Sequence, residues 1–214
     1  MKKIISLFVG SLFFASSALA GPLVGIKVGD GDLEATKLEI TNTPAALSEA
    51  QESNSINHTF AAIFVEQNVN DSPISLGLEV VPLTGTVSIS GKNHTDASVK
   101  LSNLKTIYAL ASKELNGGSL YGKVGYSHAE ISDAKQSNGT TTINSFSDAL
   151  EGPMVGIGFQ APENASGIIF RAEATLSQFD DIQVKTTDAD GLAETKKAND
   201  IEFTTFTISL AKQF

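Results

Sequence analysis

The sequence predicts an all-β chain: eight antiparallel strands, connected up-and-down and closed into a transmembrane barrel. Three observations carry that prediction. Apolar residues alternate with small or polar ones in eight short segments, and strict alternation means a strand with two different faces. The connections between the segments run long, short, long, short, long, short, long, the rhythm of an even-stranded membrane barrel. The chain also opens like an exported protein, and no later apolar run is long enough for a membrane helix. A soluble β-sandwich fits the same composition, but it gives no reason for connections that alternate in length.

Residues 1–20 read as a secretory signal peptide. Lys2 and Lys3 are the basic start, Ile4 to Phe14 the apolar run, and Ala18-Leu19-Ala20 the small-residue cleavage signature. Cleavage leaves Gly21 first and residues 21–214 as one barrel domain. It also removes two lysines and no acid, so the formal charge moves from −9 to −11. A chain this acidic does not seek phosphate backbones, so nucleic acid is excluded as a partner. With no cysteine there is neither a disulfide nor thiolate chemistry.

The strands follow in order. The first is Leu23 to Gly29, with Val24, Ile26 and Val28 on one face and Gly25, Lys27 and Gly29 on the other. A long polar stretch runs from Asp30 to His58, with a helical turn expected around Ala45 to Ala50 after Pro44. The second strand, Thr59 to Gln67, has two possible facings. Ala61, Ile63 and Val65 are preferred toward lipid, because the other choice puts Glu66 outside. After a short link, Ile74, Leu76, Leu78 and Val80 alternate with Ser75, Gly77, Glu79 and Val81. A second long stretch, Thr84 to Ser98, leads to strand four, Val99 to Ser112, where Leu104, Tyr108 and Leu110 oppose Asn103, Lys105 and Ala109. The link Glu114 to Gly118 precedes strand five, in which Leu120, Gly122, Val124 and Tyr126 oppose Tyr121, Lys123, Gly125 and Ser127. Strand six, Pro153 to Gln160, comes after the long stretch Ser132 to Ala149. Strand seven, Gly167 to Phe179, sets Ile168, Phe170, Ala172, Ala174 and Leu176 against Ile169, Arg171, Glu173, Thr175 and Ser177. The acidic stretch Asp180 to Asp200 then leads to the terminal strand, with Phe206, Ile208, Leu210 and Phe214 toward lipid.

One magnitude fixes the facing. A cation on the lipid face near the midplane costs roughly 2–4 kcal/mol. The bland faces therefore point out, and Glu79, Lys105, Lys123, Arg171 and Glu173 are expected inside. Eight strands leave an interior just wide enough for side chains to fill it. Buried ions must be paired, so these five are expected to form a charge network that plugs the lumen. The competing reading of the same charges is an ion pathway.

With the strands laid out, the chain resembles the eight-stranded outer-membrane barrels of the OmpA-like transmembrane and OmpX/Ail/Opa type. The matching pieces are Leu23 to Gly29, Ser119 to Tyr126, Pro153 to Phe159, Phe170 to Glu173 and the segment Ile208 to Phe214. The resemblance implies an outer-membrane location, a monomer embedded in lipid, and a surface, structural or adhesive role. It also implies that Phe206, Ile208, Leu210 and Phe214 form a signal read by the barrel-assembly machinery. Lys212 departs from that pattern, standing where an apolar residue is usual; at the rim a lysine can snorkel. No peptidoglycan-binding domain is expected.

Other groupings are weaker. His128, Glu130 and Ser132 share a face and resemble the Ser, His and acid set of lipid-A deacylase barrels. Residues two apart on a strand are about 7 Å apart, too far for a working triad unaided. Asp180, Asp181, Asp188 and Asp190 are carboxylates of the kind calcium favours, yet a solvated acidic loop explains them as well. Gly156-Ile157-Gly158 precedes no helix and is not a nucleotide loop; small residues inside a narrow barrel account for it. No cofactor, metal or catalytic residue is expected, and the ligand of the outer loops is unknown. A small pore or transport channel is the alternative function, with a lipid-A-modifying enzyme a remote third.

Overall fold

The structure is a computed structural model and describes residues 21–43, 48–51, 54–69, 72–91, 94–136, 142–146, 149–187 and 193–214. Residues 1–20, expected to be a signal peptide, and Pro44 to Leu47, Asp188 and Asp190 lie outside the described residues. Eleven strands form one antiparallel sheet: β1 (Leu23–Thr43), β2 (Ser48–Gln51), β3 (Asn54–Asn68), β4 (Ile74–Gly91), β5 (His94–Leu115), β6 (Gly118–Gln136), β7 (Thr142–Phe146), β8 (Ala149–Gln160), β9 (Ile168–Phe179), β10 (Ile182–Thr187) and β11 (Ala193–Gln213).

These eleven strands trace eight wall lines. Against β1, β2 and β3 hold one register, Leu38↔Gln51 continuing into Ala35↔Asn54. Against β11, β9 and β10 do the same, Phe179↔Ile201 continuing into Ile182↔Ala198. β7 continues the line of β8 along β10. The barrel closes where the first strand meets the last, from Leu23↔Gln213 to Thr43↔Ala193. Closure removes the open edges that lipid could not satisfy.

The short turns sit where the sequence places them. Between β5 and β6 only Asn116 and Gly117 separate the pair Leu115↔Gly118, and Gly117 takes φ 92°, the positive value a type II turn needs at its second central residue. Between β8 and β9, Asn164 accepts the backbone N–H groups of Ser166 and Ile168 at 2.8 and 3.0 Å, bracing a turn that ends on Gly167 at φ 74°.

The four long connections differ from expectation. They are largely not loops. In three of them the two wall strands continue as a paired hairpin; in the third connection, β6 runs on along β5 while β7 pairs with β10. Ser48 to Ala50, expected in a helical turn, pair with β1. The barrel therefore rises into a β-structured crown on the side opposite the short turns. Apolar residues of the crown's inner face form its core: Phe60, Val81, Leu101, Leu104, Ile131, Leu150, Phe179, Ile182, Val184, Ile201 and Phe203 pack together. That inward packing holds the strands together at the base of the crown.

Below the crown the pattern is inside out. Val24, Ile26, Val28, Ile63, Val124, Val155, Ile157, Phe170, Phe206, Ile208 and Leu210 are exposed, while Lys27, Glu66, Glu79, Lys123, Arg171 and Glu173 are buried. An apolar belt this continuous around a polar interior belongs in a bilayer. Six strands face as expected, and the preferred facing of the second holds: Ala61 and Ile63 point out, Phe60, Ala62 and Phe64 in.

Strand four is the correction. Leu104, Thr106, Tyr108 and Leu110 are buried, and Lys105 and Ile107 point outward. Lys105 is not in the lumen. It sits at the outer rim with half of its side chain exposed, 3.5 Å from Glu130. There the outward face meets water rather than lipid, so a lysine costs little. A register shift between Ser102 and Lys105, with Asn103 at φ 55°, marks the bulge where the strand enters the crown.

Candidate functional site

The site with the densest chemistry is the lumen, halfway along the barrel. Alternation delivers its members. On β1, Lys27 lies between the outward Ile26 and Val28; on β9, Arg171 and Glu173 flank the outward-facing Ala172. Cross-strand register stacks them at one level, with Lys27 opposite Ala62 and Ser209, Gly158 opposite Glu173, and Gln160 opposite Arg171.

Two ionic groups result. In the first, Lys27 Nζ donates to Glu79 Oε2 and Glu173 Oε1, each at 2.7 Å. Lys123 Nζ reaches the same two oxygens at 3.0 and 3.1 Å. Two lysines and two glutamates thus alternate around a closed ring, each cation touching both anions. In the second, Arg171 grips Glu66 with two parallel bonds of 2.7 and 2.8 Å and donates from Nε to Gln160 at 2.7 Å. Such a fork is the strongest geometry available to an arginine and a carboxylate.

Two tyrosines tie the groups together. Tyr108 donates to Glu66 at 2.8 Å and Tyr121 to Glu173 at 3.1 Å. Lys123 lies 3.9 Å above the Tyr108 ring, and the Arg171 guanidinium is within 5.5 Å of the Phe64 and Tyr121 rings. Three cations face three carboxylates, so the network is neutral. Above it Thr106 bonds Ser127 at 2.9 Å and Thr175 bonds Thr205 at 2.7 Å. A void of about 20 Å³ lies between this layer and Phe60, Val81, Leu104 and Phe203, room for one water. Two layers therefore cross the lumen, one of paired ions and one of apolar side chains.

Glycines make space for the rings. A side chain on Gly158 would overlap the Tyr121 ring, and one on Gly77 would overlap Tyr108. This accounts for Gly158 of the Gly156-Ile157-Gly158 segment. Gly158→Val is expected to push Tyr121 off Glu173 and to lower stability by roughly 1–3 kcal/mol, the usual cost of overpacking. Urea unfolding of the refolded barrel measures it.

Of the five expected lumen charges, Glu79, Lys123, Arg171 and Glu173 meet; Lys105 does not. The sequence reading missed Lys27, Glu66, Tyr108, Tyr121 and Gln160. The alternation that placed Lys123 also places Lys27 and Glu66, so that signal was present. Tyr108 was hidden by the reversed facing of its strand.

The outer wall carries the other polar clusters. His128 Nδ1 lies 2.6 Å from Glu151 Oε1 on the neighbouring strand, while Glu130 instead accepts from Asn103 at 2.9 Å. The acid beside His128 is thus Glu151, not Glu130, and among the described residues no hydroxyl hydrogen-bonds the ring. Asp180, Asp181, Asp200 and Glu202 line an open groove where β9 passes into β10, with Lys197 at 2.6 Å from Asp181. Among the described residues no three His, Cys, Asp or Glu side chains gather closely enough to hold a metal ion. Phe206, Ile208, Leu210 and Phe214 are exposed along β11 and its end, on the lipid side.

No protein-family model matches the chain, and no curated protein matches it in sequence. Solved structures do match. The outer membrane protein OprG of Pseudomonas aeruginosa superposes with a TM-score of 0.67 at 14% identity, over 90% of this chain and 96% of that one. The outer membrane protein AlkL, solved in lipid bilayers, superposes with a TM-score of 0.59 at 15% identity, over 94% of this chain and 93% of that one. At such identities the likeness is one of fold, and the fold is the eight-stranded barrel of outer-membrane proteins.

Proposed function

We propose that this is a non-enzymatic outer-membrane barrel with a closed lumen, whose crown serves as a surface for structural support or interaction outside the cell. One observation carries the reading. The lumen's ions are paired with one another, three against three, and are roofed by the apolar core of the crown. A conducting pathway needs charges facing water; these face each other. The barrel works as a monomer in outer-membrane lipid, and the acidic chain takes no nucleic acid. Phe206, Ile208, Leu210 and Phe214 serve the assembly machinery during insertion.

Planar-bilayer recording tests the closed lumen. The refolded protein is expected to give no stable conductance step, and steady unitary openings would replace this reading with the pore. Fractionation tests the location: recovery of mature protein in the soluble periplasm would end it.

A further inference from the structure

We propose that the outer half of the seam between β3 and β4 is a strand-addition site for an extended, basic peptide segment. The proposal deepens the closed-barrel reading by naming the kind of partner the crown receives, and it rests on that reading.

The wall has an unfinished stretch there. β3 and β4 pair only from Ile63↔Val80 down to Asn68↔Ser75. Both strands continue outward, β3 back to Asn54 and β4 on to Gly91. Each is paired on its far side, β3 with β1 from Asn54 to Glu66, and β4 with β5 except at the register shifts that skip Pro82, Leu83 and Ser90. Among the described residues, then, 54–62 and 81–91 each keep one free edge. About half of the N–H and C=O groups in such stretches point into the seam, because a strand's bonds alternate between its two neighbours.

Proteins usually blunt an open edge with charge, proline or a bulge. Here Pro82 and the register shift between Val81 and Thr84 do so next to the barrel. Beyond them Thr84 to Gly91 holds no charge, and 54–62 holds only His58. In a chain of mature charge −11, these are two bare edges facing one slot. An extended backbone is the one chemistry that satisfies both.

Charge selects the occupant. Asp30, Asp32 and Glu34 stand on β1 directly across β3, opposite Thr59, Asn57 and Ser55, and Asp30 and Asp32 are exposed. A strand added to β3 lies two spacings from them, about 10 Å, within reach of a lysine or arginine side chain. A second copy in the same membrane fits worse. It is as acidic, and its β4 rises in the same direction as this one, so the two β4 edges cannot meet antiparallel.

Amide hydrogen exchange on the mature protein in nanodiscs tests this, with a synthetic nonapeptide alternating threonine with valine and lysine as the probe. Without peptide, the seam-facing amides of 54–62 and 81–91 are expected to exchange freely. With peptide in excess they are expected to slow by at least tenfold, and a counterpart with glutamate for lysine, or one N-methylated at alternate residues, is expected to leave them unchanged. Amides already protected in the free protein, or unchanged by the lysine peptide, would overturn the proposal. Protection that grows with protein concentration alone would assign the slot to a second copy and overturn the peptide. A conducting lumen beside a peptide-protected seam would sink the closed-barrel reading and leave the slot standing, so the two failures are separable.

Discussion

Replacing Arg171 by methionine is expected to cost roughly 3–5 kcal/mol, because it strands Glu66 as an unpaired charge inside the barrel. The fork between the two is buried on both sides and bidentate, at 2.7 and 2.8 Å. What remains to Glu66 is one bond from Tyr108, which does not neutralise it. Against a typical folding stability of about 5–15 kcal/mol, the loss is large. Urea titration of the refolded barrel, read by its heat-modifiable gel shift, measures it. The double change Arg171→Met with Glu66→Leu is expected to recover most of the loss, since swapping a whole buried pair for apolar groups is often neutral or stabilising. It leaves the Tyr108 hydroxyl without its acceptor, worth about 1–3 kcal/mol, so adding Tyr108→Phe is expected to complete the recovery. A single variant that keeps its stability and gains conductance would show that the pair gates the lumen rather than plugs it.

That experiment bears on how far a sequence can be read. Alternation identified the wall strands and faced seven of them, because lipid outside and ions inside make opposite demands on neighbouring residues. Glu79, Lys123, Arg171 and Glu173 follow from that demand alone. Lys105 shows where it stops. Strand four carries apolar residues on both faces, Leu104, Tyr108 and Leu110 against Ile107 and Ala109, and a lysine at either parity, Lys100 and Lys105, so Lys105 was a weak marker of facing. The marker failed because Lys105 stands at the rim, where outward means water and its neighbour is Glu130. The crown was illegible for a related reason. Above the bilayer neighbouring positions no longer meet the opposite demands of lipid and lumen, so the alternation fades while the pairing continues from Asp32↔Thr204 to Thr43↔Ala193. Pairing partners far apart in sequence leave no local trace.

The facing has a second consequence large enough to measure. Ile208 is 54% exposed on the lipid side of β11, opposite Val28 on one neighbour and Ala172 on the other. Ile208→Arg near the midplane is expected to cost roughly 2–4 kcal/mol, against about 0–1 kcal/mol for the same residue placed near the interface at Thr204. Equal costs at the two positions would mean that the apolar belt is not centred on Ile208. Lys105 supplies the complementary test on strand four. A lumen lysine held by glutamates cannot be removed without stranding them, so Lys105→Met would lower the unfolding midpoint as Arg171→Met does. On the outer rim its partner Glu130 keeps both water and Asn103, so the midpoint is expected to stay where it is. Loss of the folded band in Lys105→Met would return that residue to the interior and reverse the assigned facing of the whole strand. An unchanged midpoint alongside a damaged Ile208→Arg would fix both faces by energy rather than by pattern.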